Sequence, residues 1–312
     1  KIKQIIFVFL KPTINRIPKT GNMKFAIFGN SHQTKKCDRI TALFDTLNKK
    51  GDNYAIERKF YDFLMRMGIS EAKNAEIIDD DNFEADMVIS YGGDGTLLKA
   101  ACRVGGKGYP IIGVNAGRLG FLTTACVEDN NPWIEKLVNG DYAIEERALL
   151  HLQKENLPQG FYPYAMNEIT IQRLTPSMLE IEISIDGHPL PKYWSDGILV
   201  ATATGSTAYS MSIGGPIVTP DSKVLIIAPI SPHNLNVRPL IVPQSSTVEI
   251  SFHGRHPQAL LTVDNRSVDI AAGEKVTISR GEFPIKSIAI NNNFIAALNQ
   301  KLLWGEDKRN MQ

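Results

Sequence analysis

The sequence lacks the features that mark several specialised classes of protein. Only three of its 312 residues are cysteines, Cys37, Cys102 and Cys126, and no two of them form a CxxC pair. We therefore expect neither a disulfide framework nor a zinc knuckle, and we expect a reducing, cytoplasmic location. The formal net charge is only +1, so no global field would attract nucleic acid or a membrane surface. Neither is expected as a partner.

Long hydrophobic runs are missing as well. The apolar run near the N-terminus, Ile5–Leu10, is flanked by lysines, but it is too short to span a membrane and no small-residue cleavage site follows it. Met23 then opens a segment that has the pattern of a first strand. We predict that residues 1–22 are an extension outside the folded unit.

Short buried strands alternate with helical patterns in residues 23–145. Lys24–Phe28 and Ala85–Ser90 are short apolar runs, and Thr34–Lys50 carries hydrophobic residues at helical spacing. Pro110–Val114 has the pattern of a further strand. This alternation predicts an α/β domain with a parallel sheet. A glycine-rich loop follows the second of these strands, at the edge where open α/β sheets bind ligands.

The pattern changes in residues 146–290. Hydrophobic residues alternate with polar ones in Leu179–Ile185, and several similar segments follow with Gly, Asn and Asp between them. This pattern predicts an antiparallel, all-β domain. Residues 291–312 include another helical pattern, which we expect to pack back on the first domain.

The glycine-rich loop is the first candidate site. Gly92, Gly93, Asp94, Gly95 and Thr96 match neither a P-loop nor a Rossmann fingerprint. One interpretation is a tight turn in which Asp94 caps the following helix. The other is a phosphate site, because glycines let a ligand approach closely and helix N-termini attract anions. Four successive residues without a bulky side chain favour the phosphate site.

Two further segments could bind a nucleotide. The run from Thr204 to Tyr209 places small hydroxyl residues beside the start of a short helix, and Tyr209 offers a flat face on which a base could stack. A serine/threonine turn with a core tyrosine is the alternative. The dipeptide Asn167-Glu168 could hold a base or a ribose diol. A dipeptide has almost no specificity as a motif, and the alternative is that these two residues simply begin a strand.

In combination, these segments resemble the NAD kinase family. The resemblance rests on GGDGT, GVNAGRLGFL, Asn-Glu, SDGILVATATGSTAYS and SPHNLNVRPL, in this order, and it extends from Met23 to Leu303. GGDGT alone also occurs in diacylglycerol, sphingosine and phosphofructokinases, whereas TGSTAY and PHNLNVRP are far more specific. The chain departs from the family at Ala116, where threonine is usual.

The resemblance implies an enzyme that phosphorylates the 2′-hydroxyl of the adenosine ribose of NAD, giving NADP. It implies a phosphofructokinase- or diacylglycerol-kinase-like α/β domain followed by an all-β, sandwich-like domain, and a homo-oligomer. Mg²⁺ or another divalent cation, and ATP or polyphosphate as phosphoryl donor, are also implied. Because an aspartate of ordinary acidity is a weak base at pH 7, positioning and charge neutralisation by magnesium should contribute most to the reaction.

The resemblance also implies roles for particular residues. Asp94 is the expected catalytic residue, and Gly92, Gly93, Gly95 and Thr96 form the phosphate loop. The residues that match the NAD-binding positions are Asp94, Gly95, Asn167, Glu168, Asp196, Thr204, Thr207, Ala208, Tyr209, Ser210, Met211 and Ser212, with Asp264 and Arg266 as weaker matches. Lys99 and Arg118 are the cations nearest the loop in sequence, and either could steady the transferred charge.

Two other functions remain open at this point. A lipid or sugar kinase could share only the GGDGT loop, although no amphipathic membrane-docking face stands out in the sequence. A dinucleotide-binding protein without activity could share the binding segments. The complete GGDG and TGSTAY segments argue against a degenerate site.

Overall fold

The computed structural model describes residues 22–31, 37–115, 120–126, 133–290 and 294–302. Contacts divide these residues into two compact units. The first unit comprises the described residues up to Leu97, Pro110–Glu145 and the described residues from Ser287 onward. The second comprises Leu98–Tyr109 and Glu146–Lys286. The domain boundaries drawn from the sequence stay a prediction, and all of the predicted N-terminal extension except Asn22 lies outside the described residues.

Six α-helices occur in the described residues, and none of them is long and apolar enough to cross a membrane. They are α1 Cys37–Lys50, α2 Arg58–Arg66, α3 Asp94–Val104, α4 Trp133–Val138, α5 Tyr209–Ser212 and α6 Phe294–Leu302. Single 3₁₀ turns lie at Ser70–Ala72, Gly105–Lys107 and Thr204–Thr207.

The first sheet has eight strands and is mostly parallel. Its strands are β1 Lys24–Gly29, β2 Asn53–Glu57, β3 Glu76–Ile78, β4 Met87–Tyr91, β5 Ile111–Asn115, β6 Ala125–Cys126, β7 Ala143–Arg147 and β21 Ile285–Ala289. The order is β3-β2-β1-β4-β5-β21-β7, with β6 also paired to β5. Because the order reverses between β1 and β4, the carboxyl ends of these two strands frame the crevice where doubly wound sheets bind ligands.

The first unit has its own hydrophobic core. Every residue of β4 is buried, as expected for a central parallel strand covered on both faces. Ile40, Leu43, Phe44 and Leu47 recur at helical spacing on α1, and all four are buried in the same core as β1 and β4. This core fixes the end of β4, from which the glycine-rich loop departs.

The second unit contains two antiparallel sheets. One has the strands β10 Glu168–Arg173, β14 Gly197–Thr202, β15 Val224–Ile230, β16 Leu240–Pro243, β18 Gln258–Val263 and β19 Arg266–Ala271. The other has β8 Leu150–Gln153, β9 Tyr164–Ala165, β11 Leu179–Ile185, β12 His188–Pro189, β13 Tyr193–Ser195, β17 Val248–Gly254 and β20 Val276–Arg280.

The two antiparallel sheets share one core. Ile169 and Ile171 from β10 belong to the same buried cluster as Ile181 and Ile183 from β11. In β11 the residues alternate between buried and partly exposed, which is the pattern of a strand with one face in a sandwich core. The predicted fold class, a parallel α/β sheet followed by an all-β unit, is confirmed.

Gly113 in β5 lies where no side chain fits. A Cβ built there would lie 2.7 Å from Cδ1 of Leu97 and 2.9 Å from Cα of Thr123. We predict that Gly113→Ala lowers the free energy of unfolding by ~1–3 kcal/mol, the usual cost of overpacking. Gly106→Ala is the matched control, because its nearest neighbour would be Phe283 at an ordinary 3.5 Å. Equal urea midpoints for the two variants would contradict this prediction.

Candidate active site

Asp94 is the first residue of α3, directly after the loop that leaves β4. Its carboxylate accepts hydrogen bonds from three successive backbone N–H groups of another loop. Phe121 N donates to Oδ2 at 3.1 Å, and Leu122 N and Thr123 N donate to Oδ1 at 3.3 and 3.2 Å. The Thr123 hydroxyl lies 3.4 Å from the same Oδ1. Asp94 therefore holds the loop after β5, which is a different role from the helix cap considered above.

Glycines around Asp94 fall into two groups. Gly92 and Gly120 are required by packing, because a Cβ would lie 2.3 Å from Thr96 Oγ1 and 2.0 Å from Asp94 Oδ1, respectively. At Gly93 and Gly95 a Cβ would meet no atom within 4 Å. Packing within the protein does not explain these two glycines, whereas close approach of a ligand to the bare backbone does.

Asp94 is the acidic residue of the glycine-rich loop itself. Among the residues that the structure describes, no group of three or more His, Cys, Asp and Glu side chains could hold a metal ion. Magnesium is commonly bound by one or two carboxylates together with substrate phosphates and water. Asp94 thus fits a cation that arrives on a phosphate chain, and it does not fit a metal held by the protein alone.

Asp264 organises the second cluster, which lies in the second unit. Its carboxylate accepts hydrogen bonds from Met166 N at 2.9 Å, Asn167 N at 2.9 Å and Glu168 N at 3.2 Å. Asp264 lies in the turn between β18 and β19 with φ at +52°, a conformation that Asp and Asn tolerate better than most residues. The predicted Asn167-Glu168 pair is therefore held by a residue almost 100 positions away in the chain.

The TGSTAY segment packs directly on Asn167-Glu168. The Asn167 carbonyl accepts a hydrogen bond from Thr202 N at 2.9 Å, and a Cβ at Gly205 would lie only 2.1 Å from that carbonyl oxygen. The backbone N–H of Tyr209 donates to the carboxyl group of Glu168. The structure thus brings together two segments that are about 40 residues apart and that the sequence singled out separately.

The Glu168 side chain is half-buried and incompletely paired. Its Oε2 atom has no hydrogen-bond partner in the described residues. Burial, and secondly the charge of Asp264, raise the pKa of Glu168 to about 8. Burial also raises the pKa of Asp264, but three backbone amides and Arg266 favour its ionised form. Glu168 is consequently the member of this pair that holds a proton at neutral pH, and it can donate a hydrogen bond to a ligand.

The other predicted NAD-binding residues differ in their accessibility. Thr204 and Ser210 are buried, Ser212 is exposed, and the remaining residues of this segment are half-buried. Those half-buried residues are Thr207, Ala208, Tyr209 and Met211. The partly exposed members form the accessible part of the segment.

Asp196 lies apart from this cluster. It forms an ion pair with Arg173 at 2.9 Å, at the end of the β10–β14 pair opposite to Glu168. The six residues from Asp196, just before β14, to Ala201, the partner of Glu168, span ~17 Å. Any contact between Asp196 and the ligand would involve a different part of that ligand.

The last predicted residues are Arg266 and the two cations nearest the glycine-rich loop in sequence. Arg266 donates a hydrogen bond to the Tyr164 carbonyl at 2.6 Å, and its guanidinium group lies 5.3 Å from the centre of the Tyr162 ring. Lys99 is exposed on α3, whereas Arg118 and Ala116 lie outside the described residues. The sequence reasoning named GVNAGRLGFL and, as a weaker match, Asp264, but it missed that the amides of residues 121–123 bind Asp94 and that those of residues 166–168 bind Asp264.

The fold and these two groups of residues define a phosphotransferase that acts on a nucleotide. The model of the ATP-NAD kinase N-terminal domain matches residues 24–142, and that of the ATP-NAD kinase C-terminal domain matches residues 166–290. The chain belongs to the NAD kinase family.

Individual relatives agree with this assignment. The chain is 43% identical to an NAD kinase from Bacteroides fragilis, over 92% of this chain and 100% of that protein. It is 41% identical to an NAD kinase from Flavobacterium psychrophilum, again over 92% and 100%. The crystal structure of an Archaeoglobus fulgidus NAD kinase with ATP has a TM-score of 0.69 at 26% identity, covering 90% of this chain and 99% of that chain. Yeast NADH kinase with NADH shows the same fold, with a TM-score of 0.81 at 24% identity over 93% and 90%.

Replacing Asp264 by Asn tests its hold on the Asn167-Glu168 pair. We expect Asp264→Asn to keep the backbone conformation but to set an NH₂ group against backbone N–H donors, at a cost of ~1–3 kcal/mol. Amide hydrogen exchange at residues 166–168 should accelerate. Asp186→Asn is the matched control, because Asp186 has a similar φ of +51° and accepts Thr247 N at 2.8 Å on an exposed turn. Unchanged exchange at 166–168 would refute the assigned role.

The raised pKa of Glu168 in the folded protein predicts a pH dependence of stability. The pKa of Glu168 is about 8 in the folded protein, against an ordinary value of 4.5, so the folded state keeps a proton that the unfolded state releases. Stability should therefore fall as the pH rises from about 4.5 to about 8. Glu168→Gln should remove this part of the loss, whereas exposed Glu155→Gln should not. Parallel urea-unfolding curves against pH for wild type and Glu168→Gln would contradict the prediction.

Proposed function

We propose that this chain transfers the terminal phosphoryl group of ATP to the 2′-hydroxyl of the adenosine ribose of NAD, giving NADP and ADP. Membership of the NAD kinase family supports the reaction and both substrates. The assignment of the catalytic group rests on the surroundings of the Asp94 carboxylate. It is half-buried, held by three amides, and flanked by Gly93 and Gly95, whose positions are open.

In the proposed step, the ribose 2′-oxygen forms a bond to the terminal phosphorus atom while the bond from that phosphorus to the leaving ADP oxygen breaks. Asp94 accepts or orients the 2′-hydroxyl proton, which leaves the ribose oxygen as the new bond forms. The amides of residues 121–123 fix the direction of the carboxylate, so that little reorganisation is needed. The open backbone at Gly93 and Gly95 gives the phosphates room to approach.

A divalent cation is part of the proposal. When bound to the donor phosphates, Mg²⁺ would supply charge neutralisation for the transferred group. Asp94 is the residue that would hold it on the protein side, because it is the acidic group of the phosphate loop. The protein contributes the position of the acceptor and of the loop around it.

NAD recognition is assigned to the second unit. The amide of Asn167 can pair with an adenine edge, and the protonated carboxyl group of Glu168 can donate to one oxygen of the ligand while accepting from another donor. Tyr209 offers a ring on which a base can stack. Asp196, Thr204, Thr207, Ala208, Ser210, Met211 and Ser212 remain proposed contacts, and Asp264 and Arg266 support the same cluster.

Several finer points belong to the same proposal. Polyphosphate is an alternative donor, and the working form is a homo-oligomer in the cytoplasm. A lipid or sugar kinase with only the GGDGT loop in common would not match the C-terminal NAD kinase domain over residues 166–290, as this chain does. A protein that binds the dinucleotide without turnover is separated from an enzyme by the assay below.

Replacing Asp94 by Asn tests its role. We expect Asp94→Asn to lower kcat for NADP formation by ~10²–10⁴, the contribution that positioned acid–base groups make. NADP is read with a coupled dehydrogenase in the presence of ATP, Mg²⁺ and NAD. The circular dichroism spectrum should not change.

Asp45→Asn is the control, because Asp45 is an exposed aspartate on α1 of the same unit. Its kcat should equal that of the wild type. Near-normal turnover by Asp94→Asn would show that this carboxylate is not the catalytic group. Binding of NAD by the wild type with no NADP formed over hours would support the non-catalytic alternative.

A further inference from the structure

Lys301 and Asp94 both contact the same residue, Phe121. Its ammonium nitrogen is 4.3 Å from the centre of the Phe121 ring. The backbone N–H of the same Phe121 donates to Asp94 Oδ2 at 3.1 Å. Lys301 comes from α6, about 200 residues after Asp94, and all three residues belong to the first unit.

Helix α6 is attached to Phe121 at both of its ends. Phe294, the first residue of α6, packs on the Phe121 ring with a centroid distance of 6.4 Å. Lys301 follows seven residues later, which is two helical turns, and so projects from the same face of the helix. Contacts with one ring at two points of the helix restrict where the ammonium group can lie.

The electrostatic surroundings of Lys301 are unusual for a lysine. The side chain is half-buried, burial lowers its pKa, and the negative charge of Asp94 raises it again. A desolvated cation is costly unless an anion compensates for the lost water. Asp94 supplies part of this compensation, and its carboxylate also accepts hydrogen bonds from three backbone amides. A phosphate chain arriving at the loop would supply a second anionic partner.

The site also needs a cation for a second reason. A carboxylate at a phosphate loop repels the anionic donor, and nearby positive charge offsets this repulsion. Lys99, which the sequence suggested for this task, is exposed on α3. Lys301 is placed beside the loop that Asp94 holds, although nothing in its sequence position indicated this.

We propose that Lys301 is a catalytic residue that binds the terminal phosphate of the phosphoryl donor, so that α6 completes the phosphate site. This inference rests on the proposed function and adds a residue to it. Lys301 donates hydrogen bonds to terminal phosphate oxygens and keeps its protons throughout. It forms and breaks no covalent bond, and its charge balances negative charge on the phosphoryl group as the group moves to the ribose oxygen.

The alternative role is purely structural, with the lysine stem covering Phe121 and the charge reaching water. Two variants separate these roles. Lys301→Met keeps an unbranched apolar side chain that packs well on an aromatic ring, and removes the charge. Lys301→Arg keeps the charge. A structural role predicts that Met substitutes well and that charge is irrelevant, whereas phosphate binding predicts the reverse.

The first measurement is steady-state kinetics with the full chain, with ATP varied at saturating NAD and then NAD varied at saturating ATP. We expect Lys301→Met to lower kcat/KM for ATP by about 10- to 100-fold, the size of a charge-assisted hydrogen bond. KM for NAD should stay unchanged, and Lys301→Arg should recover most of the loss. Lys50→Met, an exposed lysine at the end of α1, is the control and should match the wild type. Wild-type kinetics for Lys301→Met would overturn the inference.

The second measurement needs no catalysis. Calorimetry with inorganic triphosphate should show binding by wild type and Lys50→Met, and binding at least ~10-fold weaker by Lys301→Met. Equal affinities, or no binding by wild type, would overturn the inference. If the wild type binds triphosphate through Lys301 but forms no NADP, the proposed function fails while this inference stands. Lys301→Gln replaces the Met variant if thermal melting shows that the latter is unfolded.

Discussion

The first unit depends on one interaction, the set of hydrogen bonds from three consecutive backbone amides to the Asp94 carboxylate. These bonds connect the loop after β4 to the loop after β5, and they orient a charged side chain without using another charged group. Removing the carboxylate would weaken the connection between the two loops. The position of Phe121, and through it of Lys301, depends on the same bonds. The side chain that we propose for the chemistry therefore also holds local structure.

The second unit contains a similar set of hydrogen bonds, which supports a different segment. Asp264 also accepts three consecutive amides, those of residues 166–168, from a distant part of the chain. Only 4% of the Asp264 side chain is exposed, so it acts as a support for these amides. Asp94 is instead flanked by the open positions of Gly93 and Gly95, and it is the carboxylate that we propose meets the substrate.

Both clusters contain ionisable groups that are partly desolvated, and a bound polar ligand would offset the free-energy cost of that desolvation. Burial and the neighbouring charge of Asp264 both raise the pKa of Glu168, and its Oε2 atom has no hydrogen-bond partner in the described residues. Burial lowers the pKa of Lys301, and the charge of Asp94 offsets part of that effect. Partly desolvated groups of this kind are the arrangement expected where binding contributes free energy to positioning.

The sequence by itself determined the fold class, because buried strands such as β4 and alternating strands such as β11 carry their environment in their hydrophobic pattern. It also pointed to the glycine-rich loop and the TGSTAY segment, because each is a short run of unusual composition, whereas the Asn-Glu dipeptide was supported only through the resemblance to the family. Only the tertiary structure decided what Asp94, Asp264 and Lys301 contact. Those contacts join residues about 30, 100 and 180 positions apart. Local sequence patterns do not predict contacts over such separations along the chain. The chain topology alone sets which loop amides lie near a given carboxylate, and which helix lies beside it.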